Sequence, residues 1–279
     1  MNLLSGIALF LLAIPFAAQA QKRDKPPLNP IPADVTFAPA NPALPTIFIV
    51  GDSTAREWGP HVAALFDPAK VNLVPAGASG RSSRTYINEG IWARVLKQVR
   101  PHDIVLVQFG HNDPFSLVDS NRSRGSIKGI GDETKEVDNP LLHQHEVVRT
   151  FGAYLRQYIH DIQAKGAVPI VMSRTPHNDW KDGHLQPDTI GYSAWASAVA
   201  QKEHVDFVDV NGIIAAHFEP LGETKTAAFF KPNDKVHVTP AGWDLYAAWI
   251  VSGLKALPDA PVSRFLSGQD KVIPPAPGK

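Results

Sequence analysis

Five short apolar, β-branched runs punctuate the chain: "TIFIVGD" (46–52), "VNLVP" (71–75), "IVLVQFG" (104–110), "VPIVMS" (168–173) and "VDFVDV" (205–210). Their length and composition predict buried strands. Between them the apolar residues change period. In "EGIWARVLKQVRP" (89–101), Ile91, Val95, Leu96 and Val99 recur at helical spacing, and Pro101 follows the end. "HEVVRTFGAYLRQYIHDIQAKG" (145–166) carries the same spacing and stops at Gly166. "IGYSAWASAVAQKEH" (190–204) and "TPAGWDLYAAWIVSGLKAL" (239–257) complete the helices. Strand and helix alternating in this way predict a parallel sheet covered by helices on both faces.

The pattern breaks in three places. Residues 114–142, rich in Gly, Ser, Asp and charge, read as an inserted loop. Residues 21–45 carry seven prolines and read as an extended linker or strap. The tail at 259–279, ending "KVIPPAPGK", is similar. The α/β domain is therefore expected over 46–258. Ahead of it, residues 7–18 are almost wholly apolar, and Ala18-Gln19-Ala20 is a small-x-small cleavage signal. Residues 1–20 read as a secretory signal peptide, with a secreted or periplasmic product expected, although the start lacks Lys and Arg.

Composition narrows the function. Lys+Arg and Asp+Glu both number 27, so charge gives no support to nucleic-acid or membrane-surface binding. The absence of cysteine removes disulfides, thiolate metal sites and thiol nucleophiles.

In an open parallel sheet, ligands meet the carboxyl ends of the strands. Four polar stretches fall there. "GDST" (51–54) puts Ser53 at a strand end before a helix, where it is either a nucleophile or a helix cap. "AGASGRSSR" (76–84) offers Gly80, a tight turn or a close approach to a ligand. Its Arg81 and Arg84 either face an acidic substrate or pair within the fold. "QFGHND" (108–113) offers Asn112, an amide donor for an oxyanion or an ordinary turn residue, with His111 beside it as support. In "NDKVHVTPAGW" (233–243), Asp234 and His237 are three apart before a helix. At that spacing a carboxylate can hold one imidazole nitrogen and leave the other as a base, or the two can form a surface pair. Together the four stretches supply nucleophile, base, orienting acid and oxyanion donors.

The combination resembles the SGNH (GDSL-type) hydrolases, and more closely their rhamnogalacturonan acetylesterase-like group, carbohydrate esterase family 12. "GDST", "GRSSR", "GHND" and "DKVHVTPAGW" are similar to that group's four blocks in order, and "RGSIKGIGDET" (124–134) and "VVRTFGAYLRQYI" (147–159) extend the likeness over roughly 45–255. The resemblance implies a flavodoxin-like three-layer α/β/α sandwich around about five parallel strands. It implies Ser53 as nucleophile, His237 as base and Asp234 as its orienter. The oxyanion hole would comprise Gly80, Asn112 and the Ser53 amide. No metal or cofactor is implied.

Other stretches give weaker signals. Trp180, flanked by His177 and His184, either packs on a sugar beside Arg81 and Arg84 or closes over the core. "HQHE" (143–146) has metal-ligand residue types but reads as a solvated helix start. The leading expectation is a secreted esterase removing acetyl groups from a plant cell-wall polysaccharide, most fittingly rhamnogalacturonan. The alternatives are an esterase or lipase on other acyl esters, and a non-catalytic sugar binder using Trp58, Trp180 and Trp243.

Overall fold

A computed structural model of the protein describes residues 30–32, 35–268 and 273–274. The proposed export signal at 1–20 lies outside the described residues, as do 21–29, 33 and 34 of the proline-rich segment. The chain runs β1 (Thr46–Gly51), α1 (Ser53–Ala63), β2 (Asn72–Pro75), α2 (Ser83–Asn88), α3 (Ile91–Leu96) and β3 (Ile104–Gln108). It continues through β4 (Thr134–Asn139), β5 (Gln144–Arg149), α4 (Phe151–Ala164), β6 (Val168–Met172), β7 (Trp180–Lys181) and β8 (His184–Leu185). It ends with α5 (Tyr192–Lys202), β9 (Asp206–Val208), α6 (Val210–Phe218), α7 (Gly222–Ala227) and α8 (Pro240–Lys255).

Five strands form one parallel sheet in the order β2-β1-β3-β6-β9. The strands are apolar throughout because both faces are covered. Ile47 and Ile49 of β1 join Ile104, Leu106, Ile170 and Met172 in a core under α1, α6 and α8. Phe48 and Val50 join Val105, Val107 and Val171 in a second core under α2 to α5. This is the expected α/β/α sandwich. The strand order reverses between β1 and β3, which is where such a sheet opens a crevice at its carboxyl edge.

Two readings need correction. Residues 145–149 do not begin a helix: they form β5, paired antiparallel with β4 from Thr134↔Arg149 to Asn139↔Gln144. The helix starts only after Thr150, whose hydroxyl accepts from the Ala153 N–H. The 114–142 insertion is consequently not all loop, since its last third supplies one strand of this hairpin. His143 and His145 sit on the exposed hairpin, with His145 bonded to Asp138, and no cluster of three metal-ligating side chains exists among the described residues.

Both flanking segments are fastened to the domain. Arg94 Nη1 donates to the Pro32 carbonyl and Arg100 Nη2 to that of Leu44, so the described part of the proline-rich segment is a strap. Val262, Phe265 and Leu266 of the C-terminal segment are buried, and Leu266 bridges to Phe66. Among the described residues no helix is long and apolar enough to cross a membrane.

Candidate active site

β1 delivers "GDST" to the carboxyl edge of the sheet, and the tight fit begins at its first residue. A Cβ on Gly51 would stand 2.3 Å from the Gln108 carbonyl oxygen of β3, so only glycine lets the two strand ends approach this closely. Asp52 then caps α1: its Oδ1 accepts from the Thr54 N–H at 2.9 Å. The cap is thus Asp52 and not Ser53. Ser53 opens the helix, at the end where backbone N–H groups point outward.

The Ser53 hydroxyl meets His237. His237 Nε2 lies 2.8 Å from Ser53 Oγ, and its Nδ1 lies 2.8 Å from Asp234 Oδ2. The ionised carboxylate can only accept, so Nδ1 carries the hydrogen and Nε2 faces the hydroxyl as an acceptor. The Asp234 Oδ1 accepts from the backbone N–H groups of Val236 (2.8 Å) and His237 (3.0 Å). Burial opposes the charge on Asp234, yet these two amides and the imidazole hold the carboxyl below its ordinary range.

The loop that carries this pair is closed at both ends. Lys231 N–H donates to the His237 carbonyl at 2.9 Å, and Phe230 bridges Val238. Thr239 caps α8, with Pro240 in its first turn. One turn beyond Ser53, Glu57 Oε2 accepts from Lys231 Nζ (2.8 Å) and Trp243 Nε1 (2.9 Å). That carboxylate ties α1 to the His237 loop and to α8, and it fixes the distance between serine and base.

The opposite wall is built from the turn after β2 and the loop after β3. Gly80 has φ +76°, the left-handed region that glycine occupies without strain. Asn112 is buried, and its Nδ2 donates to the Arg81 carbonyl at 2.9 Å. The N–H groups of Ser53 and Gly80 have no protein acceptor among the described residues. With the second hydrogen of Asn112 Nδ2, they are the candidate oxyanion donors of this wall.

Long-range bonds hold these loops in register. Ala78 N–H donates to the Gly51 carbonyl at 2.9 Å. His111 Nδ1 lies 3.2 Å from Asp52 Oδ2, linking the ends of β1 and β3. Burial opposes the charge on Asp52, and His111 with the Thr54 donors brings its carboxyl below the ordinary value. Asp113 is enclosed and accepts from Ser83 and Ser126. Burial pushes it up to about 6, against those hydrogen bonds. Asp52, Asp113 and Arg124 all lie inside the quoted stretches, but no local pattern marks their roles.

The expected substrate contacts fare differently. Arg84 is fully enclosed: its Nε lies 2.5 Å from Glu146 Oε1, and its Nη1 donates to the Leu117 and Gly125 carbonyls. It braces α2 against the insertion and the hairpin, so it cannot meet a substrate. Arg81 holds Glu89 through Nε and Nη2. Trp180 is half-buried against the core under α1 and α8, and its Nε1 donates to Asn178. His184 is exposed and turns to Glu219. Trp58 and Trp243 are buried, which removes them as sugar-stacking platforms. Beside Arg81 a cavity of about 440 Å³ opens, also lined by Arg94, Arg122, Glu89, Asn139 and Leu141. Ser53 and His237 do not line it. It adjoins their site through Arg81, the neighbour of Gly80.

A sequence profile described as the GDSL-like Lipase/Acylhydrolase family matches residues 42–245. The chain belongs to that family. It is a carboxylic ester hydrolase, and its relatives make the assignment more specific. It is 34% identical over 207 residues to a protein from Emericella nidulans named rhamnogalacturonan acetylesterase, covering 72% of this chain and 81% of the relative. It is 26% identical over 224 residues to a Bacillus subtilis protein named probable rhamnogalacturonan acetylesterase, covering 76% and 93%. Among solved structures it resembles a Bacillus subtilis protein, YxiM, with a TM-score of 0.60 at 23% identity. That match covers 76% of this chain and 56% of the longer YxiM chain, and it supports the fold alone.

Proposed function

We propose that this family member is a serine esterase that removes O-acetyl groups from a plant cell-wall polysaccharide, with acetylated rhamnogalacturonan as the fitting substrate. The observation that carries the reading is the unbroken chain from Asp234 through His237 to Ser53, with both contacts at 2.8 Å. His237 Nε2 takes the hydroxyl proton as Ser53 Oγ bonds to the acetyl carbon. The carbonyl oxygen becomes an oxyanion and accepts from the Ser53 and Gly80 amides and from Asn112 Nδ2. On collapse, the bond to the sugar oxygen breaks and that oxygen takes the proton from His237. Water then gives a proton to His237 and attacks the acetyl carbon. Acetate departs as Ser53 recovers its proton. Asp234 keeps the imidazole in the required tautomer and offsets its transient charge.

Two features support a pectic polymer. The first is the likeness to the two relatives named rhamnogalacturonan acetylesterase. The second is the cavity next to the Gly80 turn. Its described lining carries three arginines, Arg81, Arg94 and Arg122, against one acid, Glu89, which pairs with Arg81. Such a surface favours uronate-bearing sugars. A polymer too large to enter a cell also suits the export signal proposed for residues 1–20.

Acetate release from acetylated rhamnogalacturonan, acetylated xylan and an aryl acetate, each at low and high salt, tests the proposal. The expected result is preference for the pectic polymer, with its kcat/KM falling as salt rises and the aryl acetate unaffected. Equal rates on xylan and no response to salt would reduce the assignment to a general esterase.

A further inference from the structure

The buried guanidinium of Arg124 stands behind the oxyanion side of the site. Its Nη1 lies 2.6 Å from Asn112 Oδ1 and 3.3 Å from the Gly80 carbonyl oxygen. One nitrogen thus touches both residues that would supply donors from the loops after β2 and β3. The planar group lies over the Phe115 ring, 3.9 Å from its centroid. Arg124 is 4% exposed, and no carboxylate contacts it among the described residues; Asp119, Asp52 and Asp113 act on it only from farther away. Burial and the neighbouring Arg122 bring it down to about 10, so it stays charged at neutral pH.

A buried cation without a contacting anion is costly unless something needs the charge there. Arg84, equally buried, has Glu146; Arg124 faces two carbonyl-type oxygens instead. We infer that Arg124 is a positioning residue for the oxyanion hole, orienting and polarising the Asn112 amide and anchoring the Gly80 turn through its carbonyl, so that Asn112 Nδ2–H and the Gly80 N–H point at the developing negative charge.

The orientation follows from donor and acceptor roles. A guanidinium only donates, so the Asn112 atom facing it is Oδ1, and Nδ2 is turned toward Arg81 O and the site. Without Arg124 the amide would be held only by the Nδ2–H bond to the Arg81 carbonyl. Withdrawal of electron density through Oδ1 strengthens the Nδ2–H donor, whereas the bond to the Gly80 carbonyl, which shares its peptide with the Arg81 N–H, holds the turn in place. The charge also lies on the side where the tetrahedral intermediate turns negative. The backbone at Arg124 is held independently of its side chain. Gly125 N–H donates to the Ser116 carbonyl at 2.8 Å and Ser126 N–H to that of Asp113 at 3.1 Å. Loss of the guanidinium therefore leaves the loop in place.

The inference rests on the proposed role of Asn112 and Gly80 as oxyanion donors, and the test separates the two. Arg124→Met, Asn112→Ala and the double variant are assayed on a neutral aryl acetate, with folding checked by thermal denaturation. Arg124→Met should lower kcat roughly 10- to 100-fold with little change in KM. In the Asn112→Ala background the same substitution should cost much less, because its main target is gone. Arg124→Lys should recover part of the loss, and if the Met variant does not fold, the Lys and Gln variants are compared, with Lys the faster. A folded Arg124→Met with normal kcat, an effect confined to KM, an equal factor in both backgrounds, or Lys no better than Gln would each overturn the inference. An Asn112→Ala enzyme with normal kcat would instead overturn the donor assignment beneath it.

Discussion

The two walls of the site are built by different means. On the His237 side, acid and base are three residues apart, and the loop closes on itself through Lys231, Phe230 and Val238. Asp234 and His237 remain about a third and a quarter exposed. The proposed oxyanion side is buried and assembled from distant segments: the Arg124 side chain reaches Asn112 and the Gly80 carbonyl, 12 and 44 positions away. In the proposed mechanism His237 takes and returns protons, which suits a half-open, locally fastened loop. Oxyanion donors work by being fixed before charge develops, which suits a rigid, dry wall.

The comparison can be broken from either side, and the largest effect is expected on the local one. Asp234→Asn removes the anion and permits the wrong imidazole tautomer, so kcat should fall by on the order of 10⁴-fold. Its melting temperature should change little, because the loop keeps its backbone bonds. Steady-state kinetics and a melting curve check both statements, and a large loss of stability would mean that the loop is less self-sufficient than its bonds indicate.

On the other wall, stability should respond first. Arg84→Met leaves Glu146 buried with Asn88 and Asn139 as its side-chain donors among the described residues. Loss of one partner of a buried pair costs about 3–5 kcal/mol. Denaturant unfolding measures it, and the contrast is Lys235→Ala, which breaks an exposed pair with Asp179 beside the His237 loop and should scarcely register.

A smaller effect separates the two walls by pH. Asp113, raised to about 6, favours its protonated form when folded. Its contribution to stability is complete below the ordinary carboxylate value and is lost as pH rises through about 6. Asp234 is lowered, so its contribution is present above the ordinary value and is lost as pH falls through its folded value. Asp113→Asn, which mimics the protonated acid, should therefore gain on the wild type in unfolding free energy as pH rises from about 4 to about 6. A constant difference across that window would show that Asp113 does not titrate there.

The same contrast governs what could be read in the sequence. The His237 wall was legible because its chemistry sits within one short stretch, and Ser53 because an apolar strand runs straight into it. The sheet was legible because its strands are continuous apolar runs. The oxyanion wall was legible only where a block motif carried it. Arg124 lies in "RGSIKGIGDET", which carried a family likeness but no local sign that its guanidinium reaches back to Asn112. Arg84 stayed open between a substrate contact and an ion pair because its partner, Glu146, is 62 residues away. The β4–β5 hairpin was missed for a related reason. Val147 and Val148 fit the helical period of the segment that follows, and only pairing with residues 134–139 makes them a strand. Thr150, a good cap residue directly before Phe151, was the one local sign of the boundary.

The central claim is that Ser53 Oγ forms the bond to the acetyl carbon. Rapid acid quenching during turnover of an aryl acetate, followed by peptide mass spectrometry, tests it directly. The account predicts the added mass of one acetyl group on the peptide containing Ser53, absent from Ser53→Ala, whose turnover should be lost while its circular dichroism spectrum is retained. An acetyl group trapped on another side chain, or near-normal turnover by folded Ser53→Ala, would contradict it.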